Sequence, residues 1–480
     1  MRIRIVLRVV GALLIFLSAA MLLPIPFSIY YGGSDTLSFL ISAIITLLFG
    51  WLSFVKTKKS EDLRPKEGFA VVAFGWLALS AFGSLPFIIS GAIPNYTDAF
   101  FETVSGFTTT GSSILTDVEV IPKGILFWRS LTHWIGGMGI ILLTIAILPF
   151  LGVGGMQLFK AEVPGPVVDK LAPRIMMTAK ILWFVYIVIS VIECVLLLFA
   201  GMTLFDALCH TFGTMATGGF SIKNSSVAAY HSTIIDYIIT FFMIVAGANF
   251  SLHYHGLKGN FSVYLKNREF RYFIYIIAGS TLIIAADIFI NNHYNFVESI
   301  RYSLFQVVSI ITTTGFATAD YEKWSLSSQV ILVFLMFIGG CAGSTAGGLK
   351  VMRIYLLLKF ANSEIIRLLH PSAVVPIKMN DRIVDRKIIA NVAGFFVIYM
   401  AITALSILTL TFLGADLYTS IGAVAATINN IGPGIGAVGP IGNFSSIHFL
   451  GKWLLSFLML IGRLEIFTII ILLAPSFWKK

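Results

Sequence analysis

Four short segments of this 480-residue chain hold the residues whose types and spacing suggest chemistry. They are Thr109-Thr110-Gly111-Ser112, Ala216-Thr217-Gly218-Gly219, Thr313-Thr314-Gly315-Phe316 and Asn430-Ile431-Gly432-Pro433. The glycines Gly111, Gly218, Gly315 and Gly432 stand 107, 97 and 117 residues apart. The chemistry on offer is that of the backbone. Carbonyl oxygens can replace the hydration shell of a cation when several loops face one axis. Turning consecutive carbonyls that way requires backbone angles that side chains forbid, hence glycine. Small Thr, Ala and Ser neighbours let the segments approach one another. One such break alone would read as an ordinary turn; four in register, each after a short apolar stretch, do not.

The stretches that precede the breaks run from Asp98 to Thr108, Phe205 to Thr214, Val297 to Ile310 and Leu417 to Ala426. Acids stand at their starts: Asp98 and Glu102, Asp206, Glu298 and Asp416. An acid at a helix N-terminus caps it and is favoured by the macrodipole. The negative helix end then points toward the ring, where a cation gains from it.

Two further features lie among the apolar residues. Gly339, Gly340, Gly343, Gly347 and Gly348, with Ser344 and Thr345 between them and Lys350 just after, interrupt one apolar span. Glycine costs about 1 kcal/mol relative to alanine inside a helix, so the span is expected to unwind. Its freed backbone groups must face protein or water, which places them along a cavity below the ring. Close helix packing through small residues is the alternative. Arg463 stands midway along the last span. Arginine at a helix centre costs about 2.5–3.5 kcal/mol on insertion scales, so an interior partner is expected. Glu465, two residues on, does not share its helix face, and carbonyls of the glycine stretch are the expected partners. Arg129, His133 and Gly136-Gly137-Met138-Gly139 lie on another inward span without an assigned role. Glu193 reads as a helix–helix contact and His210 as core packing.

The elements that position these residues follow from composition. Apolar residues make up 57% of the chain and charged residues 12%, half the charge of an average soluble domain. Apolar runs of about 20 residues, the length of a membrane helix, lie near 6–31, 37–55, 69–91, 124–151, 175–200, 233–255, 270–291, 327–356, 388–413 and 448–474. The first run is expected to be a retained helix rather than a cleaved signal, because it continues past Pro24 and Pro26. Of the 33 Lys and Arg residues, 26 fall on one side, most of them in loops. These include Lys58, Lys59 and Arg64; Lys160, Lys170 and Arg174; Lys258 and Lys266; and the long segment from Lys359 to Lys387. The positive-inside bias makes that side cytoplasmic and puts both termini there. It also explains the net charge of +10 without nucleic acid.

The expected fold is an all-α polytopic membrane protein. A two-helix hairpin (1–67) precedes four pore repeats (68–174, 175–269, 270–387 and 388–480) around one pseudo-fourfold axis. All short helices enter from one side, which argues against the inverted repeats of a solute transporter. The chain has no His-Glu-x-x-His and no Gly-x-Ser-x-Gly motif, so an enzyme is not expected. Cys194, Cys209 and Cys341 read as packing residues.

The segments Ser105-Gly106-Phe107-Thr108-Thr109-Thr110-Gly111, Met215-Ala216-Thr217-Gly218-Gly219-Phe220, Thr312-Thr313-Thr314-Gly315-Phe316 and Asn429-Asn430-Ile431-Gly432-Pro433-Gly434 resemble the filters of the TrkH/KtrB potassium transporter superfamily. The leading hairpin and the stretch Gly339 to Lys350 resemble its TrkH branch. The resemblance implies potassium uptake across the bacterial inner membrane by a homodimer, with a cytosolic nucleotide-binding ring of the TrkA type. It implies ion-binding carbonyls at Thr109, Thr110 and Gly111; Ala216, Thr217 and Gly218; Thr313, Thr314 and Gly315; and Asn430, Ile431 and Gly432. It makes Gly339 to Lys350 an intramembrane gate that Arg463 holds closed. Potassium is then the bound ion, and no organic cofactor is implied. The fourth loop departs furthest from the pattern. Coupling of the flux to sodium or protons, with lower selectivity, stays open.

Overall fold

The computed structural model describes residues 2–55, 65–139, 175–291, 294–380 and 382–478. Two helices, Ile3–Ala20 and Ile25–Tyr30, form the first arm of a hairpin, and Thr36–Val55 returns beside them. The arms touch at Gly11 and Gly50. A Cβ on Gly11 would lie 2.7 Å from Gly50 O, and one on Gly50 2.9 Å from Gly11 O. Small residues at such a crossing bring two backbones into van der Waals contact where lipid supplies no hydrophobic drive.

Four repeats follow, each with a leading helix, a short helix, a loop and a trailing helix. The leading helices are Pro65–Gly83, Ile175–Phe199, Arg268–Asn291 and Arg386–Phe412. The short helices are Tyr96–Phe107, Leu204–Met215, Phe296–Ile311 and Leu417–Ile428. At 1.5 Å per residue they are about 18–24 Å long, less than the roughly 30 Å hydrocarbon core. They are wrapped by the other helices, with Phe101, Phe107, Phe305 and Ile310 fully buried. The leading helices instead show apolar side chains outward, among them Phe184, Val191, Leu282, Ile290 and Leu405, as lipid-facing surfaces do.

The trailing helices are Lys123–Trp134, Thr233–Gly247, Leu326–Ile338 and Phe449–Leu464. All four break, whereas the sequence marks only the third. The first passes into a π turn, Ile135–Gly139. The second resumes as Phe250–Leu257 after a bend of 107°. The third resumes as Val351–Leu369 beyond the irregular stretch from Gly339 to Lys350. The fourth turns 117° at Glu465, whose φ is +60°, into Ile466–Leu473. Glycine again allows the approach. A Cβ at Gly136 would fall on Phe107 O, and one at Gly462 on Ile428 O. These carbonyls end the first and fourth short helices.

Among the described residues six helices are long and apolar enough to span unbroken, with two bent pairs in addition. The second half of the run expected at 124–151 and the loop carrying Lys160, Lys170 and Arg174 lie outside the described residues, as do Lys58, Lys59 and Arg64. In the long basic segment, Lys378–Met379 pairs with Arg382–Ile383 as a two-stranded antiparallel ladder, a feature the apolar pattern does not announce.

A buried acid of the hairpin helps lock it to the first repeat. Asp35 accepts a hydrogen bond from Ile125 N at 2.9 Å, in the first turn of the first trailing helix, and another from the Ser28 hydroxyl. Gly124 leaves the room for it. Asp35→Ala should therefore cost about 1–3 kcal/mol, the range for orphaning a buried donor. The readout is a lower thermal midpoint in detergent; an unchanged midpoint would reject the lock.

Candidate functional site

Each short helix begins at a side-chain cap. Asn95 accepts from Thr97 N, Thr203 from Asp206 N, Asn295 from Glu298 N and Asp416 from Thr419 N, at 2.8–3.1 Å. Of the acids expected at these starts, Asp416 is thus a cap, and Asp98, Asp206 and Glu298 lie in first turns. Glu102 does neither: it is buried in mid-helix and bound to Arg129 at 2.6 Å. Asp98 pairs with Lys452 at 2.6 Å.

At the other ends the four loops share one conformation. Thr109, Thr217, Thr313 and Asn430 have φ of +53° to +57°. Two residues later come Gly111, Gly219, Gly315 and Gly432 with φ of +75° to +100°. The hydrogen bonds match as well. Thr110, Gly218, Thr314 and Ile431 each donate to the carbonyl five residues back, at 2.8–2.9 Å. Threonine and asparagine in the left-handed region are uncommon and mark a built conformation. The second loop is therefore in register one residue later than the sequence triplet Ala216, Thr217, Gly218. The matching triplet is Thr217, Gly218, Gly219. The Gly-Phe pairs Gly219-Phe220 and Gly315-Phe316 are the sequence signal for that register.

The loops close in cyclic order. A Cβ at Gly111 would fall on Gly218 O, one at Gly219 on Thr314 O, and one at Gly315 on Ile431 O. One at Gly432 would lie 2.8 Å from Thr110 O. Each glycine thus abuts the carbonyl just before the glycine of the next loop. The divergent fourth loop is tied in by its side chain: Asn430 Nδ2 donates to Thr110 Oγ1 and to Met459 O, both at 2.9 Å. Ser112 Oγ donates to Gly432 O at 3.0 Å, and Tyr399 OH to Asn429 Oδ1 at 2.6 Å. Outside the ring is a cavity of about 380 Å³ lined by all four loop glycines, Ser112 and Asn224.

On the opposite side the irregular stretch of the third trailing helix lies directly against the loop bases. Its neck is Gly339 packed on Gly348, both with positive φ. Val351 N donates to Gly340 O at 3.0 Å and Ser344 Oγ to Cys341 O at 2.6 Å. Gly347 N donates to Thr313 Oγ1 at 2.7 Å, and a Cβ at Gly347 would fall on Asn429 O. Thr345 Oγ1 is shared between Met215 O and Ala246 O, 3.1 Å from each. Lys350 Nζ turns back to Ala346 O. Arg463 is buried and donates to Thr345 O at 2.7 Å, to Gly136 O at 2.8 Å and to Gly137 O. It joins the stretch not only to the fourth trailing helix but also to the break in the first. Glu465 instead pairs with Arg353 at 2.6 Å.

Glu269, Gly247 and Phe250 of this arrangement are not marked by the sequence, which also leaves His133 without a role. Glu269 Oε1 accepts from Ala342 N at 2.7 Å and from Met352 N at 3.2 Å, clamping both flanks of the stretch. The second trailing helix holds it at its break, where Cys341 N donates to Gly247 O at 2.9 Å and Phe250 N to Gly343 O at 3.0 Å. His133 stacks on Phe220 at 4.0 Å behind Gly218. No local pattern marks Glu269, which reads as one more charge at a helix start. Glu193 is buried.

A family model described as TrkH, cation transport protein, matches residues 36–480. The Trk system potassium uptake protein TrkH of Escherichia coli K12 is 42% identical over 489 residues, covering 100% of both chains. Its counterpart in Halomonas elongata is 39% identical over 484 residues, again over 100% of both. TrkG of Escherichia coli K12 is 34% identical, over 100% of this chain and 99% of that one. The crystal structure of the potassium transporter TrkH from Vibrio parahaemolyticus superposes with a TM-score of 0.90 at 38% identity, over 100% of both chains. With likeness of sequence and backbone running through the hairpin and all four repeats, this multi-pass membrane protein belongs to the TrkH family of cation transport proteins.

Proposed function

We propose that this protein takes up potassium across the bacterial cytoplasmic membrane. In this reading Thr109 to Gly111, Thr217 to Gly219, Thr313 to Gly315 and Asn430 to Gly432 line one path and offer carbonyl oxygens to the ion. The observation that carries it is the cyclic contact of each loop glycine with the next loop's carbonyl. It brings four strained backbone segments around one axis at the inner ends of four short helices. A dehydrated cation needs many oxygens at once, and backbone carbonyls supply them without a net charge that would trap it. The short helices add their negative ends. The relatives named potassium uptake proteins support potassium as the ion.

The stretch Gly339 to Lys350 is the gate in this reading. It fills the space under the loops and is held there by hydrogen bonds from Arg463 and to Glu269. The buried Arg463 guanidinium opposes an approaching ion, and Lys350 Nζ caps Ala346 O. The gate is opened by a cytosolic nucleotide-binding partner docked on the basic face, including the segment Lys359 to Lys387. The protein works as a homodimer, as the family resemblance implies, with both termini in the cytoplasm, as the basic loops suggest.

Two variants test this. Gly315→Ser puts a side chain at φ +83° and against Ile431 O. A loss of about 1 kcal/mol in ion discrimination, roughly fivefold, is expected in the potassium/sodium ratio of liposome flux. An unchanged ratio in folded protein would reject the filter. Arg463→Ala removes the gate's hydrogen bonds and a repelling charge. Potassium flux in liposomes should rise several-fold without a partner present; a fall in flux from well-folded protein would make Arg463 an anchor instead.

A further inference from the structure

The residue two places after each loop glycine has its carbonyl held by the preceding repeat. Ser113 O accepts from Phe444 N at 2.8 Å, and Ser221 O from Arg129 Nη1 at 2.8 Å. Ala317 O accepts from Ala228 N at 3.2 Å, and Gly434 O from Tyr321 OH at 2.7 Å. Two of these donors are backbone amides and one is a neutral phenol. The other is a guanidinium, which is costly to bury and here carries a counter-charge.

The residue nine places before each glycine approaches the same strand from behind. These positions are Glu102, His210, Gln306 and Ala423. Glu102 accepts from Ser113 Oγ and Ile114 N, both at 2.9 Å. His210 Nδ1 faces Asp206 O at 2.9 Å and must donate to it, leaving Nε2 to accept from Ser221 Oγ at 3.2 Å. Gln306 Nε2 donates to Ala319 O at 3.3 Å. Ala423 offers no polar atom, and loop four is held from repeat three by Tyr321 and by Glu322, which accepts from Gly436 N.

The two sets of contacts meet in one place. Glu102 binds Arg129 at 2.6 Å, with 0% and 4% of the side chains exposed. The Arg129 guanidinium also stacks on Phe220, the residue after Gly219, at 3.5 Å from the ring centre. One buried ion pair therefore fixes the outer strands of loops one and two together. We propose that Glu102 and Arg129 are positioning residues that hold the first two loops at the spacing on which preference for potassium over sodium depends. The proposal rests on the filter reading above. A ring free to tighten around the smaller sodium ion discriminates less.

The test is potassium and sodium flux through the purified full-length protein in liposomes. The variants are Glu102→Gln, Arg129→Lys and Ser113→Ala, with Gly315→Ser alongside. Glu102→Gln should lower the potassium/sodium ratio about threefold or more, as a lost charge-assisted hydrogen bond warrants. Ser113→Ala, which strands no charge, should lower it less. Arg129→Lys keeps the charge but not the fork, and should fall between the two. If Gly315→Ser shifts the ratio and the other folded variants do not, the positioning role is overturned and the filter stands. If no variant shifts it, the filter reading fails. An equal fall of both fluxes at an unchanged ratio makes the pair merely structural and overturns the proposal. Should Glu102→Gln not fold, Ser113→Ala and Arg129→Lys decide by the same criteria.

Discussion

The contact between a loop glycine and the carbonyl oxygen of the next loop constrains everything else in this molecule. A methyl group at Gly111, Gly219 or Gly315 would occupy the neighbour's oxygen. The four loops can therefore close only if all four backbones come within touching distance. Touching requires that the short helices stop together, which the shared left-handed residue after each helix arranges. It also requires non-helical backbone deep in a membrane protein, which is tolerated only inside protein or along water. The leading helices and the hairpin supply that enclosure and keep apolar faces for lipid.

The same demand explains why all four trailing helices break. To pass beneath the ring each must approach the end of a short helix, and glycines at 136, 247, 347 and 462 let it do so. At or near each approach the helical ladder is interrupted, which leaves polar backbone groups at membrane depth. The glycine-rich stretch and Arg463 answer part of that need. The guanidinium binds carbonyls from the first and third trailing helices while belonging to the fourth. An arginine that would be costly alone is thus fully engaged by groups that would themselves lack partners.

Much of the fold was legible because its signals are local. Runs of apolar residues, basic loops and glycine breaks each report on their own neighbourhood. Four short helices could be placed to within a few residues, and the interrupted third trailing helix stood out through five glycines. What escaped had a long-range cause. The breaks in the second and fourth trailing helices occur at Gly247 and at Glu465, whose partners are far away in sequence. Glu269, Glu102 and Asp35 each look like an ordinary charged residue near a helix start. Only the assembled fold shows that each accepts backbone amides from another element. The one-residue register of the second loop was missed because Gly218 and Gly219 are adjacent, and composition alone does not say which takes the left-handed turn.

The four carbonyls behind the ring are held by two amides, a phenol and a guanidinium, all on one chain. In a pore assembled from four identical subunits a substitution appears four times, and its effect on the ring is multiplied. Here a substitution appears once and touches one quadrant. The ring can thus be altered in small steps, with three quadrants preserving the path while the fourth varies. Asn430 and Ile431, at positions held by threonines in two other loops, are the mark of such uneven tuning. Covalent linkage of the repeats turns a cooperative ring into four separately adjustable contacts.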